Sequence, residues 1–469
     1  MSTVPVKKND FSKGSVSGWI LKMAIPLSIA QFVNILYNLV DRMYIGRLPA
    51  DGRLALTGVG ICLPVTLLIS AFANFSGLGG APLCSMARGS GDEDRAETIM
   101  GNAFSLILFL AVVLMAIGYG FTTKLLYAFG ASDQTIGFAR SYLLIYLAGT
   151  LPTMITVGMN PFINSQGFSR VSMMTTILGA VINIILDPIF IFVLGMGVNG
   201  AALATVIAQI CSAVWVLVFL RSPRAILHLK AFRMKPDLRL IGKIMSLGIS
   251  GFIIAATTGL VGIICNKTLL RVGGDLYVSV MTVASSFHEI AFATTSGISN
   301  GANPVIGYNY GAKCYGRICE AIRFSTFAAL AIAFLFWIIT EFFPGACIRI
   351  FNSDPELLEA GIPAFRVYYC VYFMFPLQMV GQTVSLALGK TKTAIFFSLL
   401  RKVFLVIPLT LILPYHWGLG PMGVFLAEAI SIVVGCTICY VTMMHTVYFP
   451  MRKLDREQKA ALAAGDQEG

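Results

Sequence analysis

Asp41 and Asp187 are carboxylates set inside long apolar runs. An ionisable side chain in a membrane span costs about 2.5–3.5 kcal/mol on insertion scales, and such groups mark ion or proton pathways. Asp41 ends a polar stripe of Gln31, Asn34, Asn38 and Asp41, whose spacing of 3, 4 and 3 puts all four on one helical face, with Leu36, Leu39 and Val40 on the other side. Asp187 follows Asn183 by four residues and so shares its face, and Pro188 comes next. Proline loosens the backbone ladder and frees carbonyl oxygens nearby. Thr205 is a hydroxyl on a small, apolar stretch. Two chemistries suit two carboxylates, an amide and a hydroxyl. Oxygen ligands hold a hard cation such as Na⁺, and neighbouring carboxyls share and release a proton.

Helical rise places these groups at one depth. Asp41 lies about 28 Å along from Lys22, Asp187 about 25 Å from Arg170, and Thr205 about 9 Å in from Asn199. All three converge on the outer half of a first bundle, so Asp41, Asn183, Asp187 and Thr205 form the candidate set for a coupling cation or proton. The blander reading of Asp41 is a helix cap or an interfacial position. The second half differs: Asn266 takes the place of Asp41, and Glu428 that of Thr205. Arg401 and Lys402 lie about 12–14 Å into their span, where Glu428 or Glu289 is available to neutralise one of them. Glu289 facing a cavity that takes cationic substrates is the other option, and His288 reads as a hydrogen-bonded packing residue. Gln31, Asn34, Tyr37, Asn38, His288, Glu289 and Glu428 are the cavity and substrate candidates. The methionines, including Met154, Met159 and Met374, read mainly as packing.

The elements that must position these residues are membrane helices. Of 469 residues, 57% are hydrophobic and 12% charged, whereas a soluble domain carries roughly 25% charged residues. The excess apolar surface faces lipid. About twelve spans of roughly 20–28 residues are expected. The formal net charge of +12 sits in short loops without interleaved aromatic platforms, so it sets topology and does not mark a nucleic-acid binder. With the N-terminus inside, inner segments hold about 22 Lys and Arg and outer loops about 5. Both termini are therefore expected on the cytoplasmic face of a plasma (inner) membrane, as is the basic stretch 221–243. The polar start with Lys7, Lys8 and Lys13, and the length of the first span, predict no cleavable signal. The cysteines read as small buried hydrophobes, including the Cys436–Cys439 pair in an apolar helix.

The halves repeat. Gly89 and Arg95 in the first match Gly311 and Arg317 in the second, and Gly167 matches Gly389, all at one constant offset. Gly195-Met-Gly197 answers Gly418-Leu-Gly420. Such an offset is the mark of internal duplication, and an even number of spans per half makes the copies parallel. The expected fold is an all-α polytopic membrane protein of two six-helix bundles around a central cavity. The bundles are expected at 1–220 and 244–449, with a connector at 221–243 and a polar cytoplasmic tail at 450–469. No HExxH, His/Asp cluster or Gly-rich phosphate loop occurs, so an intramembrane enzyme is disfavoured. A major-facilitator transporter is disfavoured too, because the segment 87–97 is acidic and Gly/Ser-rich where that class carries a basic motif.

Several motifs together resemble the multidrug and toxic compound extrusion (MATE) transporters over nearly the whole chain, Pro26 to about Thr442, nearest the prokaryotic DinF-like and MepA-like branch. They are Leu36-Tyr37-Asn38-Leu39-Val40-Asp41 with Ile45-Gly46, Asn183 to Pro188, Gly200 to Thr205, Gly307 to Ala312, and Ser398 to Lys402. The resemblance implies a V-shaped pair of six-helix bundles and export of lipophilic, often cationic compounds against H⁺ or Na⁺. It also implies that Asp41, Asn183, Asp187 and Thr205 correspond to the first-bundle cation site, the set that helical depth gives independently. The expected partners are small-molecule substrates and lipid, with a monomeric chain and no cofactor beyond the coupling ion. Spans seven and ten lack the acidic residues of another branch, so that branch's second-bundle coupling does not transfer, and His288-Glu289 departs from the family's polar pattern. The alternative in the same superfamily is a flippase for lipid-linked sugars or peptides, whose cavity would be rich in Arg and Lys.

Overall fold

The computed structural model of the chain describes residues 9–46, 52–351 and 354–465. Lys7, Lys8 and the last four residues of the expected C-terminal tail lie outside the described residues. Among the described residues every regular element is a helix, because apolar runs of this length satisfy their backbone groups internally. In order these are α1 (Val16–Gly46), α2 (Gly52–Gly89), α3 (Glu93–Ala128), α4 (Ile136–Ala148), α5 (Thr150–Ser165), α6 (Ser169–Pro188), α7 (Val198–Arg221), α8 (Leu238–Gly311) and α9 (Tyr315–Phe342). They continue as α10 (Pro344–Arg349), α11 (Pro355–Tyr369), α12 (Phe375–Ala387), α13 (Thr391–Leu399), α14 (Ile407–His416), α15 (Pro421–Ser431), α16 (Thr437–Met443) and α17 (Phe449–Gly465). Wider π turns follow α6 (Ile189–Val193), α13 (Leu400–Val406), α15 (Ile432–Cys436) and α16 (Met444–Tyr448).

Ten of these helical segments are long and apolar enough to span a membrane, and the pair α4–α5, bent by 57°, supplies one more. The 74-residue α8 breaks at Gly274, where φ is +69°, and so holds two spans. With that break the spans reach the expected number of twelve. The expected polar tail is helical: α17 carries the last span on to Gly465.

The duplication is written into the backbone. Gly167 and Gly389 have φ of +86° and +72°, Gly195 and Gly418 +65° and +66°, and Gly197 and Gly420 +56° and +52°. Gly91 at +81° is matched in the second half by Lys313 at +56°, the one non-glycine among the described residues with positive φ. A lysine there adopts a conformation that L-residues disfavour.

Two compact units result. Unit one comprises Ile29–Phe252 with Asn9 and Asp10, and unit two comprises Phe11–Ser28 and the chain from Ile253 onward. The division thus runs through α1 and α8, where the expected boundaries lay between helices. Close helix approach explains both crossings. In unit one, a side chain at Gly79 of α2 would strike the backbone of Ile244 and Gly248 at the start of α8. In unit two, a Cβ at Gly301 would come within 2.8 Å of Ala24 N and 3.0 Å of Ile20 O in α1. Gly79 and Gly301 are equivalent positions of the repeat, so the same small-residue packing is used twice.

The basic connector is not a loose linker. Its backbone is held by side chains of unit one: Ile226 N and Leu227 N each donate to Gln166 Oε1 at 2.9 Å, His228 N donates to Glu97 Oε1 at 3.1 Å, and Asp237 N donates to Asn102 Oδ1 at 2.7 Å. Lys230 Nζ pairs with Glu97 Oε2 at 2.7 Å, Arg233 pairs with Asp94, and Ala225, Leu227 and Leu229 are buried. The acidic start of α3 is therefore the seat of the connector.

Gly79→Ala is expected to lower the thermal stability of the purified protein by about 1–3 kcal/mol, the usual cost of overpacking. Gly60→Ala on the same helix, where an added Cβ meets nothing within 4 Å, should leave the melting curve unchanged.

Candidate functional site

The candidate set is built by three helices of unit one. On α6, Asn183 and Asp187 stack one turn apart, and Asn183 Nδ2 donates to Asp187 Oδ1 at 3.3 Å. The same nitrogen donates to Thr205 Oγ1 of α7 at 3.2 Å, and that hydroxyl donates to Ala201 O at 3.0 Å. Asp187 is within side-chain hydrogen-bonding reach of Asp41 on α1. Asp41, Asn183, Asp187 and Thr205 are thus one cluster. Asn183, Asp187 and Thr205 are 1%, 0% and 3% exposed, so the cluster lies in the interior of the unit, beyond the position of an interfacial cap.

Local sequence explains the placing of Asp187. Pro188 has no N–H to give to the carbonyl four residues back, and the helix widens at once into the π turn Ile189–Val193. Such turns concentrate at functional sites. Across the packing face, Gly200 of α7 sits so close to Phe190 that an added Cβ would come within 2.7 Å of its backbone. Small residues there let α7 bring Thr205 up to α6.

The polar stripe of α1 divides. Tyr37, one turn before Asp41, lies within hydrogen-bonding reach of Thr205 and close to both carboxylates. Gln31, Asn34 and Asn38 are exposed, and Asn38 Nδ2 donates to Asn34 O at 2.7 Å. The row that enters the cluster is 37/41; the row 34/38 looks outward. Sequence reading missed Tyr142 and Tyr146 of α4, which stack with ring centroids 6.0 Å apart. Tyr142 is close to Asp41, and Tyr146 is close to Tyr37. Their spacing of four in an apolar span was the available signal.

The donor set fits a hard monovalent cation or a proton. Asn183 Oδ1 is buried and accepts no hydrogen bond from the protein, which leaves an amide oxygen for a cation beside two carboxylates and a hydroxyl. No group of three or more His, Cys, Asp or Glu side chains gathers among the described residues, so the donors of a transition-metal centre are not assembled there.

Unit two holds a cluster of another kind. Glu428 Oε1 accepts from Arg401 Nη1 at 2.9 Å and from Lys402 Nζ at 3.0 Å. Glu428 is the carboxylate that neutralises these cations; Glu289 is exposed. His288 sits among the rings of Phe292, Tyr368, Tyr372 and Phe375 at centroid distances of 5.4–6.5 Å. Its Nδ1 has no hydrogen-bond partner within the protein, so the expected hydrogen-bonded packing role is met only in its packing.

Twelve spans, a duplicated backbone and buried polar clusters define a polytopic membrane transporter. The MatE family model matches residues 26–189 and 252–412, and the chain belongs to this family. It is 23% identical over 441 residues to the multidrug export protein MepA of Staphylococcus haemolyticus (strain JCSC1435), across 93% of this chain and 94% of that one. It is 24% identical over 462 residues to MepA of Staphylococcus saprophyticus, across 97% and 98% of the two chains. Among solved structures, a MATE protein in the bent conformation superposes with a TM-score of 0.90 at 22% identity, across 97% of this chain and 100% of that one. A MOP superfamily transporter from Pyrococcus furiosus Vc1 (DSM3638), described by a reversed polarity of its binding pocket that suggests a different function, gives 0.87 at 21%, across 96% and 98%.

Glu428→Gln should destabilise the protein by about 3–5 kcal/mol, because it leaves two buried cations without their partner. Thermal unfolding in detergent would show this as a lowered midpoint. Glu289→Gln, at an exposed position, should unfold with the parent.

Proposed function

We propose that the chain is a secondary active antiporter that exports lipophilic, often cationic compounds in exchange for H⁺ or Na⁺. The observation that carries this reading is the buried cluster of Asp41, Asp187, Asn183 and Thr205. Two carboxylates at hydrogen-bonding range in an apolar interior need a proton or a cation between them. Binding removes charge from the interior of unit one, and release restores it, so occupancy changes which packing of α1 is stable. The relatives named as multidrug export proteins and the fold solved in bent and straight conformations support the reading. In the flippase alternative, buried basic residues would receive phosphates; here Arg401 and Lys402 are already engaged by Glu428. We further propose that the protein is not an enzyme, works as a monomer in the plasma (inner) membrane, and carries no cofactor besides its coupling ion. It handles small molecules and lipid, and no nucleic acid. Both termini and the connector 221–243 face the cytoplasm.

The site is tested by substitution in reconstituted vesicles under an imposed ion gradient. Asp41→Asn keeps the shape and removes the titratable charge; expression should stay normal and gradient-driven export should stop. Asp187→Asn should be next in severity. Asn183→Ala and Thr205→Ala should weaken coupling less, since water replaces neutral ligands. Export by Asp41→Asn at the parent rate would show that the coupling group lies elsewhere, and movement that requires ATP would overturn the antiport reading. Topology is tested separately: a cysteine at exposed position 235 should resist a membrane-impermeant maleimide in intact cells and react in inside-out vesicles.

A further inference from the structure

The buried cluster of unit two does not balance. Arg401 and Lys402 bring two positive charges, and Glu428 is the one carboxylate set against them among the described residues. The side chains of Arg401, Lys402 and Glu428 are only 5%, 16% and 9% exposed. Arginine does not give up its proton in proteins, so charge cannot be shed there. A residual positive charge in a membrane interior is unstable unless an anion meets it.

Three buried polar atoms near this cluster lack a partner. Arg401 Nε, Tyr372 Oη and His288 Nδ1 have no hydrogen-bond partner within the protein. All three belong to groups arranged around one ring, that of Phe375. The Arg401 guanidinium carbon lies 5.2 Å from its centroid, His288 lies 5.4 Å away, and Tyr372 stacks on it at 5.6 Å. The His288 and Tyr372 rings meet edge-on at 5.4 Å. An arginine N–H and a tyrosine O–H are donors, and a histidine nitrogen becomes one in the appropriate tautomer. The backbone is shaped to put Arg401 there: it lies in the π turn Leu400–Val406, and Gly435 leaves the space that its stem fills, since a Cβ on Gly435 would lie 2.9 Å from Arg401 Cγ.

We infer that unit two binds a small monovalent anion, a halide or a carboxylate, at Arg401 Nε, Tyr372 Oη and His288 Nδ1. The anion supplies the missing negative charge and the missing acceptor together. A buried water would satisfy the hydrogen bonds only, and the charge would then balance only with Lys402 neutral. This inference does not rest on the antiport reading.

Bromide is the probe. The purified full chain is melted across a sodium bromide titration in which sodium methanesulfonate holds sodium constant, and crystals grown in bromide are measured at the bromine absorption edge. The expected results are a saturable rise in melting temperature and an anomalous peak beside Arg401 Nε. Tyr372→Phe, which removes one donor, should raise the half-saturating bromide concentration about tenfold, the effect of one hydrogen bond. Arg401→Gln should abolish the bromide effect; if that variant fails to fold, Tyr372→Phe carries the test. Acetate that raises the melting point and displaces bromide would identify a carboxylate as the natural occupant, and acetate without effect would identify a halide. Melting that is the same in bromide and methanesulfonate and is not raised by acetate, with no anomalous peak, overturns the inference and leaves water at the three atoms and Lys402 neutral.

Discussion

A charge inside an apolar helix bundle is stable only when something opposite, or a proton, stands against it. Each unit of this protein meets that constraint differently. In unit one the charges are of one sign: Asp41 and Asp187 face each other with the neutral groups Asn183 and Thr205 around them. Among these four residues none is a cation. In unit two the opposite charges are built in. Glu428 holds Arg401 and Lys402 at 2.9 and 3.0 Å, and the imbalance that remains is positive. One unit therefore gathers acidic groups, and the other sets one carboxylate against two cations.

The same duplicated backbone carries both arrangements. Glycines with positive φ recur at matched positions, and helices α3 and α9 begin at equivalent points of the repeat after caps of nearly equal geometry, Asp92 at φ −89°, ψ 75° and Cys314 at φ −86°, ψ 70°. Yet the chemistry at these matched caps has diverged. Asp92 accepts a hydrogen bond from Arg95 N at 2.9 Å, while Cys314 makes no side-chain cap bond. Scaffold positions that fix turns and helix approach are held by backbone geometry. Polar positions inside the helices are free to differ, because each need only satisfy its own unit.

The helices and the clustering of the four unit-one residues could be read from the sequence because their signals are local or periodic. A span is a run of apolar residues, and Asn183 and Asp187 share a face by their spacing of four. The division within α1 could not be read the same way. Residues 34, 37, 38 and 41 all fall within one broad arc, and only packing against α6 and α7 selects Tyr37 over Asn38 as the partner row. The connector was legible as basic and loop-like, but its seat on Glu97, Asn102 and Gln166 depends on contacts between segments far apart in the chain. The pairing of Arg401 and Lys402 with Glu428 was one of two options by charge. Depth alone could not separate it from Glu289, and exposure does.

The two helices that contribute residues to both units differ in one way. Both crossings rest on a glycine against a neighbouring backbone, Gly79 in unit one and Gly301 in unit two. In α1, Pro26 stands between the Gly301 contact at Ala24 and the point after Ser28 where the helix passes into unit one. Proline removes one rung of the hydrogen-bond ladder and makes a helix easier to bend there. In α8 the crossing after Phe252 has no proline nearby; the one proline of that helix is Pro304. The helix that carries Asp41 is therefore the one with a soft point between its two anchorages. About 26 Å of helix separates Asp41 from Ala24, with Pro26 two residues beyond Ala24 on the same element.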